Sequence, residues 1–459
     1  METEKLHVHT IGCQMNVVDS QRIAALLKPM DYTMVESPDQ ADLVVVNTCA
    51  IRAKAEQKVF SFLGRLAKLK ARNPELIIAV GGCVAQQEGD RIMRRMPSVD
   101  LVFGTHAIAR LPEHIARIKT RKQRYVDTEM MRGIQEFDTP AWDGETGKVS
   151  QFVTIMRGCD NYCSYCVVPH VRGAEVSRKP ENIIHEIKAL VKKGIREVTL
   201  LGQNVNSYGI KDGECAFPEL LSRVNAVKGL CRIRFTTSHP KDLSDALIRV
   251  FGSMEKVCRH IHLPVQSGAN RILKQMNRRY TRELYLEKIE KLRHRCPDIA
   301  ISSDFIVGFP GESDREFQET LDLIREVGFD SLFAFMYSDR PSAPASRNPD
   351  KIPEKVKGER LQALLDLQEA CNTARAAALI GSIEEVLIDG FSKKQGQTHG
   401  ANREVGKGIQ WTGRTSGNRI VNFTLDDRNS PAPTFHPGDL VAVRIEKAFS
   451  HSLWGKPVD

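Results

Sequence analysis

No apolar run in this 459-residue chain approaches the roughly 20 residues needed to cross a bilayer; Leu43-Val44-Val45-Val46 is among the longest. That excludes a membrane helix. The amino terminus, Met1-Glu2-Thr3-Glu4-Lys5, has no apolar stretch behind it, so no secretory leader is expected and the expected location is the cytoplasm. The chain lacks any fixed-period repeat or low-complexity tract. Its cysteines do not pair off either: there are eleven. Without an export signal, disulfides are not expected, and clustered cysteines point instead to metal or redox chemistry. The length is too great for one ordinary core, so two to four domains are expected. Apolar content of 41% and charged content of 27% are those of a globular protein. A formal charge of +9 suits a polyanionic partner without specifying one.

The amino-terminal third alternates apolar runs (Leu6–Ile11, Leu43–Asn47, Leu76–Gly81) with helix-like stretches near 19–29 and 52–71. This is the pattern of βαβ units around a parallel sheet. Asp127, Glu129, Glu136, Asp138, Asp143 and Glu145, with Pro140, then break the rhythm and read as an acidic linker. Six strand-like runs follow: Phe152–Met156, Glu197–Leu201, Arg232–Thr236, His260–Val265, Ala300–Val307 and Ser331–Met336. Helical patterns at 179–193, 281–295 and 313–327 lie between them, and a long one at 353–379 closes the region. Six such units predict a partial (βα)6 barrel, although a doubly wound sheet gives the same alternation. After Gly381, period-two alternation over Glu384–Asp389, Ile409–Arg414, Arg419–Phe423 and Leu440–Ile445 predicts a small antiparallel β-barrel of OB-like type. The expected fold class is therefore multidomain α/β, divided into 1–126, a linker 127–147, 148–380 and 381–459.

Residues 158–166 read Gly-Cys-Asp-Asn-Tyr-Cys-Ser-Tyr-Cys. A 4Fe–4S cube normally takes four thiolates, one per iron. Cys159, Cys163 and Cys166 supply three on one loop directly after a strand, which leaves an iron open for a substrate. A zinc knuckle would want a fourth ligand, and His170 is the only local candidate. A second set is dispersed. Cys13, Cys49 and Cys83 each follow a predicted parallel strand, 36 and 34 residues apart. Ligands of open α/β sheets collect beyond the carboxyl ends of strands, so these three converge and predict a second three-thiolate 4Fe–4S site. Each alone could be a small buried thiol; three at the same topological position are harder to explain that way. Cys215, Cys231, Cys258, Cys296 and Cys371 share no pattern.

Taken with Gly12-Cys13-Gln14-Met15-Asn16, Asn47-Thr48-Cys49, Gly81-Gly82-Cys83, Leu201-Gly202-Gln203-Asn204-Val205-Asn206, Arg234-Phe235-Thr236-Thr237-Ser238-His239-Pro240, His262-Leu263-Pro264-Val265-Gln266-Ser267-Gly268 and Ser303-Asp304-Phe305-Ile306-Val307-Gly308-Phe309-Pro310-Gly311-Glu312, the chain resembles the methylthiotransferases of the radical-SAM superfamily over essentially its whole length. The resemblance implies a radical-SAM cluster on Cys159, Cys163 and Cys166, with S-adenosylmethionine chelating the open iron and Tyr165 packing near the adenine. It implies an auxiliary 4Fe–4S cluster on Cys13, Cys49 and Cys83, and a carboxyl-terminal TRAM domain that binds RNA. The implied reaction adds a methylthio group at C2 of N6-(dimethylallyl)adenosine at position 37, beside the tRNA anticodon. It consumes two molecules of S-adenosylmethionine and a sulfur associated with the auxiliary cluster. Replacing hydrogen at that carbon is beyond side-chain acid–base chemistry, whereas a cofactor-borne radical can do it.

Further candidates follow from strand ends and charge. Gln203, Asn204, Asn206, His239 and Gln266 lie at the carboxyl ends of barrel strands, where such sites sit, and are candidate contacts for S-adenosylmethionine. Arg414, Arg419, Phe423, Lys447 and Trp454 of the terminal barrel are candidate RNA contacts. So is the basic stretch Arg52–Arg72, in which Lys54, Lys58, Arg65, Lys68 and Arg72 share a helical face opposite Val59, Leu63 and Leu66. The expected partners are a tRNA anticodon stem-loop with its target base splayed out, an electron donor such as flavodoxin or ferredoxin, and iron–sulfur assembly proteins; the expected state is a monomer. The alternatives are sibling enzymes acting on threonylcarbamoyladenosine or on a ribosomal-protein aspartate, and a non-enzymatic RNA-binding iron–sulfur sensor.

Overall fold

The computed structural model describes residues 3–50, 53–130, 147–211, 213, 215–392, 410–424 and 435–458. Most of the expected acidic linker lies outside them. The amino-terminal sheet has six parallel strands in the order Tyr32–Met34, Glu4–Ile11, Leu43–Thr48, Ile77–Gly82, Leu101–Phe103, Tyr125–Asp127. Leu43–Thr48 and Ile77–Gly82 are buried throughout, as parallel strands covered on both faces must be. Helices Gln14–Leu27 and Leu111–Arg121 pack one face through Ile23, Leu27, Leu111 and Ile115. On the other, Ala53–Arg72 and Cys83–Arg95 insert Val59, Leu63, Leu66, Val84 and Ile92. Lys58, Arg65, Lys68 and Arg72 are exposed, as the amphipathic pattern requires. Asp127 proves to be the last residue of the sixth strand rather than linker. Its carboxylate accepts hydrogen bonds from Arg110 and contacts His114 Nε2 at 2.7 Å.

The second unit is the partial barrel. Its six strands run in sequential order as two parallel three-stranded sheets: Ser150–Thr154, Glu197–Leu201, Arg232–Phe235, then His260–His262, Ala300–Val307, Ser331–Met336. The parallel bridge Ile233–Val257 joins them. A doubly wound sheet would reverse its order midway; this one does not. Helices Pro180–Lys192, Arg282–Arg295, Asp314–Val327 and Glu354–Ala377 cover the outside, and one continuous core unites the strands with them.

The third unit is a closed five-stranded barrel, in the cyclic order Ile383–Phe391, Gln410–Thr415, Ile420–Thr424, Ser452–Pro457, Leu440–Ala448. The pair Ile420–Thr424 and Ser452–Pro457 is parallel, within an otherwise antiparallel barrel. It docks on the amino ends of the central strands. Arg232 donates to the Arg414 and Glu385 carbonyls, and Arg234 to those of Thr415 and Ser416. The Arg259 amide donates to Ser416 Oγ at 2.8 Å, and Arg419 pairs with Asp330 at 2.9 Å. The turn after Thr415 thus stops the end of the central barrel opposite the carboxyl ends of its strands.

Candidate active site

The first cysteine set is assembled by buried amides. Cys13 caps helix Gln14–Leu27, and Asn16 in its first turn is 0% exposed. Asn16 Oδ1 accepts from the Cys13 amide and thiol; its Nδ2 donates to Asn47 Oδ1 at 3.0 Å and to the Thr48 carbonyl at 3.1 Å. Asn47 returns the bond to the Asn16 carbonyl at 2.8 Å. The first two loops are therefore locked together, and the Cys13 and Cys49 thiols meet. Thr48 ties in the third loop, donating to the Gly81 carbonyl at 2.6 Å and accepting from the Ala85 amide. Two glycines are obligatory here. A Cβ at Gly12 would lie 2.8 Å from Cys49 Cβ, and one at Gly82, where φ is +93°, would lie 2.3 Å from the Thr48 carbonyl oxygen. Hydrogen bonding with Cys49, ahead of the opposing effect of burial, draws the Cys13 thiol down to about 6; burial pushes Cys83 up.

The second set sits on the loop after Ser150–Thr154. The Cys159 amide donates to the Gly173 carbonyl, Ser164 to Met276, and Ala345 to Ser164. Asn277 Nδ2 holds the Asn161 and Tyr162 carbonyls. Burial pushes Cys159 up to about 11 and Cys166 to about 12. The Cys159 and Cys166 thiols, while free, stay protonated at neutral pH, and iron ligation would displace those protons. Arg278, 4% exposed, lies with Nη1 3.5 Å from Cys163 Sγ and 3.3 Å from the Tyr165 hydroxyl. Among the described residues no three His, Cys, Asp or Glu side chains could grip a single metal ion. A cube makes no such demand, because each thiolate takes its own iron.

Cofactor candidates gather beside this loop. His239 packs edge-on to Tyr280, whose hydroxyl meets Arg278 Nε. Its Nδ1 accepts from the Lys241 amide, so the ring proton is on Nε2, and burial keeps the ring neutral. That Nε2 has no partner, nor have Gln203 Oε1, Asn204 Oδ1, Asn206 Oδ1 and Ser238 Oγ, although all five atoms are buried. Buried polar atoms are normally satisfied. So many orphans at adjacent strand ends fit a polar ligand that bonds to them. Gln266, at φ +75°, uses both backbone groups to bridge to Asp304 and Ile306. Glu175 was not legible from sequence. It accepts from Ser207 Oγ at 2.7 Å, its amide donates to Asp160, and burial raises its carboxyl to about 7.

The chain that follows the second set reaches the first across the domain contact. Helix Val168–Arg172 follows directly on Cys166, and Arg172 Nη2 donates to Asp19 Oδ2 at 2.7 Å. The positive charge of Arg172 acts on both Cys83 and Cys13. Thr105 and His106 contact the Val171 and Arg172 carbonyls from the amino-terminal side.

The terminal-barrel candidates divide. Phe423 is 0% exposed inside the barrel core, packed edge-on to Phe435. The alternation runs in the opposite phase there, and no ring face is offered to a base. Arg419 is engaged by Asp330. Arg414 turns back to Asn418 at 3.3 Å. Lys447 is exposed, 5.5 Å over the Trp454 ring, a pair that can meet RNA.

Two family models match: "Uncharacterized protein family UPF0004" over residues 5–104 and "Radical SAM superfamily" over 153–324. A protein of Desulfosudis oleivorans named tRNA-2-methylthio-N(6)-dimethylallyladenosine synthase is 52% identical over 98% of this chain and 96% of its own length. Proteins of the same name from Syntrophus aciditrophicus and Geobacter metallireducens are 48% and 47% identical, over 99% of this chain and 95% and 99% of theirs. Among solved structures, the radical S-adenosylmethionine methyltransferase TsrM from Kitasatospora setae superposes with a TM-score of 0.56 at 12% identity, covering 83% of this chain and 78% of that one. The cobalamin-dependent radical enzyme OxsB gives 0.52 at 12% identity, covering 80% and 56%. These structural likenesses concern the fold.

Proposed function

The chain belongs to the tRNA-2-methylthio-N6-dimethylallyladenosine synthases, radical-SAM enzymes, and from that premise we propose how its two cysteine sets share the reaction. The enzyme methylthiolates C2 of N6-(dimethylallyl)adenosine in tRNA with S-adenosylmethionine and a 4Fe–4S cluster. The residues fit that cluster: one buried and two half-buried thiols on one anchored loop, beside unpartnered polar atoms. When bound, it supplies the electron that converts S-adenosylmethionine into a carbon radical able to activate an unactivated C–H bond.

In this proposal Cys159, Cys163 and Cys166 hold the radical cluster, and Cys13, Cys49 and Cys83 hold an auxiliary cluster with the sulfur to be inserted. Gln203, Asn204, Asn206 and His239 hold the polar end of S-adenosylmethionine, Gln266 shapes the adjoining wall, and Tyr165 packs near its adenine. Arg278 keeps positive charge against Cys163, and its burial with Tyr280 excludes water. The base at position 37 enters between the two sets. Exposed Lys58, Arg65, Lys68 and Arg72, with Lys447 and Trp454 of a TRAM-type barrel, hold the tRNA backbone. The division into 1–126, 127–147, 148–380 and 381–459 is retained, with Asp127 moved into the first unit. A flavodoxin- or ferredoxin-type donor and iron–sulfur assembly proteins complete the set of partners.

The observation that carries this assignment is the pairing of two three-cysteine sets, each short of a fourth thiolate and joined by the seven-residue reach from Cys166 to Arg172. The test is a reaction in vitro. Anaerobically reconstituted enzyme, reductant and S-adenosylmethionine should convert a stem-loop bearing N6-dimethylallyladenosine to its 2-methylthio product, seen by mass spectrometry. Cys49→Ala should abolish sulfur insertion yet retain reductive cleavage of S-adenosylmethionine. A Cys49→Ala enzyme that still forms the product refutes the assignment.

A further inference from the structure

The sixth strand of the central barrel, Ser331–Met336, is paired on one side only among the described residues. Leu332 and Ala334 pack against the core beneath the helices. Period-two alternation therefore turns Phe333 and Phe335 to the opposite face, into the barrel interior. The register agrees. Phe333 lies opposite Asp304 and Phe335 opposite Ile306; Ile306 joins the apolar cluster that also receives Tyr165 of the cysteine loop. His262 stands edge-on to Phe333 at 6.2 Å, with Nε2 3.4 Å from Asp304 Oδ1. Yet Phe333 is 54% and Phe335 38% exposed. By contrast Phe305, in the core beneath the helices, and Phe309, in the cluster that Tyr165 joins, are 0% and 2% exposed. Two bare phenyl rings lining the inside of an active barrel are an apolar surface awaiting a partner.

We infer that Phe333 and Phe335 form the wall that receives the N6 substituent of the target adenine, and that Asp304 beside them discriminates against anionic substituents. This rests on the assignment of the substrate above. The occupant is fixed by chemistry and position. The wall runs toward Tyr165 of the radical-SAM cysteine loop, which places its occupant at the reacting end of the barrel. A branched, uncharged five-carbon substituent loses water favourably against two phenyl faces. A substituent ending in a carboxylate would be desolvated against the same rings and would meet the Asp304 carboxylate at close range. Attraction of one substituent and repulsion of the other together give specificity.

The test is equilibrium binding of fluorescent anticodon stem-loops to reconstituted enzyme. The loops carry adenosine, N6-dimethylallyladenosine or a carboxylate-bearing N6-threonylcarbamoyladenosine at one position. The wild type should prefer the dimethylallyl loop over the plain loop by about tenfold or more. The Phe333→Ala/Phe335→Ala pair should bring that preference within about twofold while leaving the plain loop's affinity unchanged. Phe333→Leu/Phe335→Leu, which keeps an apolar wall and guards against a folding defect, should preserve most of it. Asp304→Asn should narrow the gap between the carboxylate-bearing and plain loops. A full preference in the alanine pair overturns the wall while leaving the substrate assignment standing. A wild type without any preference for the alkylated loop overturns both.

Discussion

Asn16 and Asn47 carry more of the first cysteine site than their exposure would suggest. Each is essentially inaccessible, and each bonds to the other's side chain or backbone. Removing one strands buried amide groups at about 1–3 kcal/mol apiece. Asn16→Ala should therefore lower iron from roughly eight per reconstituted chain to about four and spare the radical-SAM cluster spectrum; undiminished iron would show the amide clamp to be dispensable. Glu175 gives a prediction in pH. Its carboxyl titrates near 7 when folded, against 4.5 for an unperturbed glutamate. The folded state thus holds the proton more tightly, and this group's contribution to stability falls as pH rises from about 4.5 through 7. Glu175→Gln should flatten the loss of stability between pH 5 and pH 8 in denaturant titrations of the cluster-free protein; an unchanged slope would contradict it. The cysteines were legible because strand ends can be found from periodicity. Asn16, Asn47, Arg278 and Glu175 were not assigned roles, since their partners lie far away in the chain. Phe423 failed for another reason: alternation reveals two faces, and only packing decides which is inside.

At the scale of elements, strands of five or more residues with dense apolar content were found almost to the residue, as with Glu197–Leu201, Ala300–Val307 and Ser331–Met336. Tyr32–Met34, Leu101–Phe103 and Tyr125–Asp127 were missed because three residues are too few to display a period. Ser452–Pro457 was hidden by Gly455 and Pro457, which read as turn residues. Helix Gln14–Leu27 starts earlier than its apolar pattern, since Cys13 rather than a periodic residue defines its end. The docking of the terminal barrel could not be read at all, because Arg232 and Arg234 bind backbone carbonyls, which carry no sequence signal. Arg234 also pairs with Glu197 at 2.8 Å, both side chains 7% exposed. Arg234→Ala would leave that carboxylate buried and unpaired, at about 3–5 kcal/mol. The midpoint of thermal unfolding should drop by several degrees, and a variant as stable as wild type would show the pair to be incidental. Cutting the chain near residue 380 also removes partners of Arg232 and Arg234, so weakened tRNA binding by such a fragment has two causes. Lys447→Glu and Trp454→Ala separate them by acting on the exposed face alone.

For the molecule as a whole, the cysteine loop of the central barrel adjoins the amino-terminal unit through Arg172, and a small barrel is held at the amino ends of the central strands. In the proposed footprint, a tRNA that reaches the cysteine loop and the small barrel lies along the protein and contacts it through phosphates. With a net charge of +9, its affinity should fall by orders of magnitude between about 50 and 200 mM salt; a flat salt response in filter binding would exclude that footprint. No described helix is long and apolar enough to cross a membrane. Everything here converges on one reaction, and nucleoside analysis of tRNA from a strain deleted for this chain tests it most directly. Digested tRNA from that strain should contain N6-dimethylallyladenosine and lack its 2-methylthio derivative, which wild-type chain restores and Cys163→Ala does not. Unchanged 2-methylthio-N6-dimethylallyladenosine in the deletion strain would contradict the account.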